Sequence, residues 1–291
     1  MPDIKQIQWF PGHMAKTRRL MKESLPEVDI VIELLDARIP YSSKNPEIKK
    51  IIGEKPIITV LNKASLADPA TTAGWCRWYR THANACVALD CLTGEGATDL
   101  KNAVREVLAD KIARYRERGM EGRRLKAMIV GIPNVGKSSL INRLAGGKHA
   151  KVENRPGVTL TKQWVSTDIG LSLLDMPGVL WPKFDEKRVG ENLAATGAIR
   201  DQILDVEEVA MILARRLAEV SPDLLAARYR LAPGEFEELD AYDLTELIGR
   251  KRGFLMAGGA VNFRRTAEML LDEFRSGTIG RISLEKPKPE E

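Results

Sequence analysis

Gly131-Ile132-Pro133-Asn134-Val135-Gly136-Lys137-Ser138 follows the apolar run Met128-Ile129-Val130 and leads into Leu140-Ile141-Asn142-Arg143-Leu144. The octapeptide fits G-x-x-x-x-G-K-[ST], a phosphate-binding loop set between a strand and a helix. Its glycines let the backbone curl until successive N–H groups face phosphate oxygens, and the helix N-terminus adds a favourable field. Asn134, Val135, Gly136, Lys137, Ser138 and Ser139 form the expected phosphate-binding set. Lys137 is expected at the β/γ-phosphates, which also makes it a catalytic candidate, and Ser138 on Mg2+.

About forty residues on, Leu171-Ser172-Leu173-Leu174 ends at Asp175-Met176-Pro177-Gly178, a D-x-x-G element. Asp175 is expected to hold Mg2+ mainly through water, and the Gly178 N–H to touch a γ-phosphate. Between the two motifs lies Arg155-Pro156-Gly157-Val158-Thr159. Thr159 is the expected switch threonine that completes the Mg2+ shell, with Thr161 as second choice. Upstream, Pro56-Ile57-Ile58-Thr59-Val60-Leu61 ends at Asn62-Lys63-Ala64-Ser65, an N-K-x-D base-recognition element with its last residue changed. It precedes the phosphate loop by about seventy residues, whereas in ordinary guanine-nucleotide domains it follows. The order implies a circular permutation.

Asn62 is expected to brace the loop and the base, and the Lys63 stem to lie along the ring. Ser65 is a defect. The usual Asp accepts from both guanine N1–H and the 2-amino group, whereas a hydroxyl accepts one such bond, uncharged. The loss of a charge-assisted bidentate contact costs roughly 2–3 kcal/mol, or about 30–150-fold in discrimination against ATP. Asp68 can substitute only if the loop shifts. Asp90-Cys91-Leu92 takes the place of the usual S-A-K loop. Its lysine is missing, and the backbone N–H groups of Cys91 and Leu92 are left to meet the base oxygen.

Other apolar runs are Ile30 to Leu35, ending at Asp36-Ala37-Arg38, and Val87-Ala88-Leu89, ending at Asp90. Five strands alternating with helix-like segments predict a mostly parallel α/β sheet, with each candidate motif at a strand's C-terminal end, where ligands of such sheets bind. Lys111 to Lys126 is a charged helix end and linker, where the termini of an unpermuted relative would be joined. Beyond residue 200 the pattern is helical. Val209, Ile212, Leu213, Leu217 and Val220 form one apolar face, and Phe263, Ala267, Leu270, Leu271 and Phe274 another. Residues 1–199 are therefore expected to form the nucleotide domain, 200–284 a small all-α domain, and 285–291 a disordered tail.

The chain has 291 residues, is 44% hydrophobic and 29% charged, and carries a net charge of +5. No apolar run reaches the ~18 residues of a membrane span, and the N-terminus lacks a secretory pattern. The expectation is a cytoplasmic monomer with no membrane or DNA partner. The mild positive charge permits an anionic partner such as RNA. Cys76, Cys86 and Cys91 show no C-x-x-C spacing and are expected to be reduced thiols.

Over nearly its whole length the chain resembles the YlqF/RbgA family of circularly permuted GTPases. The resemblance is carried by Trp9-Phe10-Pro11-Gly12-His13-Met14-Ala15-Lys16, Asp36-Ala37-Arg38-Ile39-Pro40, the phosphate loop, and Asp175-Met176-Pro177-Gly178-Val179-Leu180-Trp181-Pro182-Lys183-Phe184. Phe274-Arg275-Ser276-Gly277 and Gly280-Arg281 add to it. It implies a circularly permuted P-loop GTPase domain of α/β class, followed by a helical domain that reaches RNA. It also implies GTP and GDP as ligands, hydrolysis stimulated by the pre-ribosome, and a role in assembly of the large ribosomal subunit through its rRNA. Ser65, Asp90 and Leu92 depart from the family pattern.

Many GTPases place Gln after D-x-x-G to orient water; Val179 cannot do so. His13, in a Trp-Phe-Pro-Gly-His turn, is the candidate. Its near-neutral pKa suits polarising water, and the resemblance implies that role. Contact with RNA or packing of the N-terminal segment are the alternatives. Asn134 is a candidate K+ ligand, because related potassium-stimulated GTPases use an Asn there; a loop brace is its alternative. Asp36-Ala37-Arg38 either braces the site or touches RNA. Arg264, Arg265, Arg275 and Arg281 are candidate phosphate contacts on the helical domain, ahead of the run Arg114, Arg116, Arg118, Arg123 and Arg124. Trp75 and Trp78 suit a helix core. A relaxed-specificity NTPase and a nucleotide-gated RNA-binding module with little hydrolysis are the rival readings.

Overall fold

A computed structural model describes residues 11–147, 163–167, 170–181, 184 and 186–287, with side chains from residue 15 onward. Thr159 and Thr161 lie outside the described residues. Among the described residues six strands, β1 (Ile30–Asp36), β2 (Ile57–Asn62), β3 (Ala85–Ala88), β4 (Leu125–Gly131), β5 (Gln163–Ser166) and β6 (Leu171–Asp175), form one sheet in the order β3-β2-β1-β4-β6-β5. All neighbours are parallel except β5, which runs antiparallel to β6. The sequence reading found five strands and missed β5, a four-residue edge strand with only Trp164 and Val165 as apolar residues.

The helices are α1 (Pro11–Ser24), α2 (Pro46–Ile52), α3 (Pro69–Arg80), α4 (Ala97–Val107), α5 (Ala109–Glu117), α6 (Lys137–Leu144), α7 (Lys187–Ala195), α8 (Val206–Val220), α9 (Pro222–Tyr229), α10 (Ala241–Lys251) and α11 (Phe263–Ser276). Several begin at caps legible in the sequence. Asn45 accepts from the Glu47 N–H, Asp205 from Glu207 and Glu208, and Asn262 from Arg265, which satisfies N–H groups the helix leaves without partners. Asp68 likewise caps α3 by accepting from Thr71 N. It is thereby committed and does not stand in for the missing base-site Asp. Pro11 opens α1, so the backbone of His13 lies in the first turn of a helix rather than in a turn.

Strands β1 and β2 are buried along their whole length, as parallel strands covered on both faces must be. Ile30, Ile32, Leu34, Ile58, Val60 and Ile129 face one core with Leu100, Leu140 and Ile141 of α4 and α6. That cluster continues into Leu193 of α7, Leu213 and Leu217 of α8, and Leu270 and Phe274 of α11. On the opposite face Val31, Met128, Val130, Leu174 and Met176 pack with Met21 of α1 and Ile48 of α2, and Leu35 and Leu61 pack with Trp75 and Tyr79 of α3. The α1 helix thus sits on the sheet face that carries Met176, beside the D-x-x-G segment.

After α11 the chain returns to the sheet. Ile282 N donates to Leu66 O and Leu284 N to Arg38 O. Glu285, expected to begin a disordered tail, is buried. Its carboxylate accepts from Tyr41 N at 2.8 Å, from Asn192 Nδ2 at 2.9 Å, and from the Ser42 N–H and hydroxyl, and its carbonyl accepts from Trp75 Nε1. The packed chain extends at least to Pro287, whose ring lies against Gly74. Polar composition alone misleads here, because a carboxylate with four donors is well placed in a protein interior. The cysteines are free and buried. Among the described residues no helix is long and apolar enough to cross a membrane.

Candidate functional site

Sheet order reverses between β1 and β4, the switch point at which open α/β sheets bind ligands. The ends of β1, β2, β3, β4 and β6 bring Asp36, Asn62, Asp90, the 131–138 loop and Asp175 to one rim. Gly131 ends β4 with φ 153°, and a Cβ there would come within 2.6 Å of the Leu34 carbonyl oxygen. Gly136, at φ 102°, has no room for a side chain because Asn62 Nδ2 fills that space.

Asn62 is buried and ties three loops together. Its Nδ2 donates to Val135 O at 2.7 Å, and its Oδ1 accepts from Cys91 N at 3.2 Å. These contacts brace the phosphate loop, the first half of the role read from the sequence. Lys137 is buried, and its Nζ donates to Gly131 O at 3.2 Å and Ile132 O at 2.8 Å. Burial lowers its pKa to about 8, with Asp175 acting in the opposite direction. A Cβ at Gly178 would lie 2.8 Å from Lys137 Nζ and from Pro133 Cα, and Val179 N donates to Gly131 O. The D-x-x-G segment therefore rests on the phosphate loop with only a glycine's clearance. Val179 is buried.

The Ser138 hydroxyl and Asp175 carboxylate are hard oxygen donors. Mg2+ bound with a nucleotide takes most of its shell from water and phosphates, so this sparse set fits it. No group of three or more His, Cys, Asp or Glu side chains that could hold a metal occurs among the described residues.

Lys63 sits at φ 60° and donates to Asp36 Oδ2 at 3.0 Å. Asp36 also takes a forked pair from Arg38, Nε to Oδ1 at 2.9 Å and Nη2 to Oδ2 at 2.7 Å. Burial alone would raise the Asp36 carboxyl, but Arg38 and Lys63 outweigh it and hold the group far below the usual carboxylate range. Arg38 is itself fully buried, and its Nη1 faces the carbonyls of Phe274 and Arg275 at 3.5 and 3.4 Å. A cation there complements the C-terminal end of α11. The D-A-R motif, left unassigned by sequence reading, thus connects the base-site lysine to the last turn of the final helix.

The Cys91–Leu92 loop differs from expectation. Cys91 N donates to Asn62, and Leu92 N and Thr93 N donate to Asp90 Oδ1 at 2.8 and 3.1 Å. These N–H groups are directed into the protein and not toward a base oxygen. Arg143 holds the carbonyls of Cys91 and Leu92. The loop exposes the Leu92 side chain, 81% accessible. Burial and the nearby Asp90 charge push the Cys91 thiol up to about 12, so it is un-ionised.

Asn134, at φ 57° and solvent-facing, donates through Nδ2 to Gly197 O at 2.8 Å. Two arginines weighed as phosphate contacts hold backbone carbonyls. Arg275 donates to Ala194 O and Ala195 O and forms a forked pair with Asp201, and Arg281 donates to Ala64 O and Ala67 O. Trp75 is buried in the α3 core, as expected.

A protein family described as 50S ribosome-binding GTPase matches residues 126–228. Ribosome biogenesis GTPase A of Priestia megaterium is 48% identical over 98% of this chain and 98% of its own length. The same-named protein of Bacillus licheniformis is 47% identical over 97% of this chain and 99% of its own. GDP-bound TM YlqF superimposes with a TM-score of 0.67 at 25% identity, covering 93% of this chain and all of that one.

Proposed function

The chain belongs to the ribosome biogenesis GTPase A family and is a GTP-hydrolysing enzyme of ribosome biogenesis; from that premise we propose that it acts on the large ribosomal subunit, binding its rRNA in a nucleotide-dependent way. The observation that carries the site assignment is Asn62, whose one side chain joins the base element to the phosphate loop across the permuted chain. Asn62, Lys63 and Ser65 receive the base. Residues 134–139 and the Gly178 N–H receive the phosphates, and Lys137 supplies charge to the β/γ-phosphates. Ser138, Asp175 and Thr159 would hold Mg2+, which when bound would offset charge on the phosphate oxygens. Asn134 has its amide nitrogen committed to Gly197, leaving Oδ1 as the atom for K+. His13 polarises the attacking water.

RNA contact falls to the α10–α11 region of the helical domain, residues 200–284. Arg250, Lys251, Arg264 and Arg265 are exposed there around a connection whose Leu255 and Met256 are each about half exposed. Steady-state GTP hydrolysis with isolated large subunits, small subunits or neither tests the reading. Marked stimulation by large subunits alone is expected. Equal rates in all three would overturn the large-subunit assignment, and a His13→Ala variant with undiminished turnover would remove that residue's role.

A further inference from the structure

Ser65 replaces the carboxylate that reads guanine, yet a carboxylate lies against it. Asp90 Oδ2 accepts from the Ser65 hydroxyl at 2.5 Å and from Ser65 N at 3.3 Å. Asp90 Oδ1 accepts from Leu92 N and Thr93 N. A carboxylate offers about four lone-pair sites, and each here faces a donor. Asp90 is 2% exposed, whereas Ser65 is only partly covered. Asp90 therefore has no acceptor left for a base, and Ser65 has no proton left to give one.

We propose that Asp90 orients the Ser65 hydroxyl as an acceptor toward the nucleotide base, so that the pair selects guanine in place of the missing aspartate. Guanine turns two donors, N1–H and the 2-amino group, toward such an oxygen. Adenine turns the N1 lone pair toward it, which repels. A hydroxyl free to rotate would serve either base by donating to adenine N1; one whose proton is held by a carboxylate serves guanine alone. The charge on Asp90 also strengthens Ser65 as an acceptor, because hydrogen bonds in series polarise one another. Burial would raise the Asp90 carboxyl, but the bonds from Ser65, Thr93 and Leu92 outweigh it and hold it below its usual value, so the ionised acceptor is present at neutral pH. Asp90 is then a positioning residue acting through Ser65.

The inference rests on the base site assigned above, and binding of GDP and ADP to the full-length chain separates the two. The wild type is expected to prefer GDP. In Asp90→Asn the amide can donate to Ser65 and release its proton. The GDP-over-ADP ratio should fall at least about tenfold, with GDP binding weakened and ADP binding not. In Ser65→Ala, which leaves Asp90 and its loop bonds in place, GDP binding should weaken while ADP binding stays constant. The exchange variant Ser65→Asp with Asp90→Ser should recover the preference that Asp90→Asn and Ser65→Ala lose. Equal weakening of both nucleotides in Asp90→Asn, or an unchanged ratio in Ser65→Ala, would overturn the relay and leave the base site standing. A wild type without preference would overturn both.

Discussion

At the residue scale, Asn62 and Lys137 carry most of the site's geometry. Asn62→Ala would leave Val135 O and Cys91 N without their partner. Loss of a buried amide in this position costs about 2–3 kcal/mol, so GDP affinity should fall about 30–150-fold in a direct titration, with the fold retained. Lys137 gives a pH signature whose sign differs between stability and binding. Its folded pKa of about 8 lies below the ordinary 10.5. Between those values the unfolded chain binds more protons, so this group makes the ligand-free protein more stable as pH rises through the window. Phosphate binding needs the charged amine, so GDP affinity should decline above about pH 8, by up to about tenfold per pH unit. A GDP affinity flat from pH 7 to 9.5 would count against a buried, depressed lysine. Both residues were legible in the sequence because motif spacing defines them. Asp90 as the partner of Ser65 was not, since 25 residues separate the two and only the pairing of β2 with β3 sets them side by side.

At the element scale, two arginines tie α11 into the rest of the fold. Arg38 joins β1 to the end of α11. Arg38→Ala leaves Asp36 buried with Lys63 as its remaining cation, and a broken buried pair of this kind costs about 3–5 kcal/mol. Arg38→Lys should recover little, because a single ammonium cannot reproduce the fork. Urea unfolding of both variants tests this. Arg275 binds the carbonyl end of α7 and Asp201, so Arg275→Ala should lower stability without changing the salt dependence of RNA binding. Arg264→Ala with Arg265→Ala should do the reverse, reducing the slope of log affinity against log salt by about 1–2. The apolar periodicities of α8 and α11 were readable in advance, because 3.6-residue spacing is a local property. The edge strand β5 was not, because four residues carry too little pattern and its place depends on pairing with β6.

At the scale of the whole molecule, the permutation gives the fold its wiring. From Gly178 the chain runs through Val179, Leu180 and Trp181, all buried, and reaches α7. The end of α7 then meets Asn134 of the phosphate loop through Gly197. The final residues close the circuit, with Glu285 accepting from Ser42, Tyr41 and Asn192. Glu285→Ala would strand those buried donors and should lower unfolding stability by about 2–4 kcal/mol; a midpoint of chemical denaturation equal to the wild type would refute this role for Glu285. The sequence alone determined the strand–loop–helix motifs, their permuted order, the α/β class and the helical region that follows. Each of these is written in short-range spacing and hydrophobic period. Only the tertiary structure decided that Asp36 joins Lys63 to Arg38, that Asp90 faces Ser65, that Arg275 and Arg281 hold backbone carbonyls, and that Glu285 is packed in place. Each depends on residues brought together across as many as 244 positions of sequence. Docking of whole elements fixes such contacts, and local pattern does not encode them.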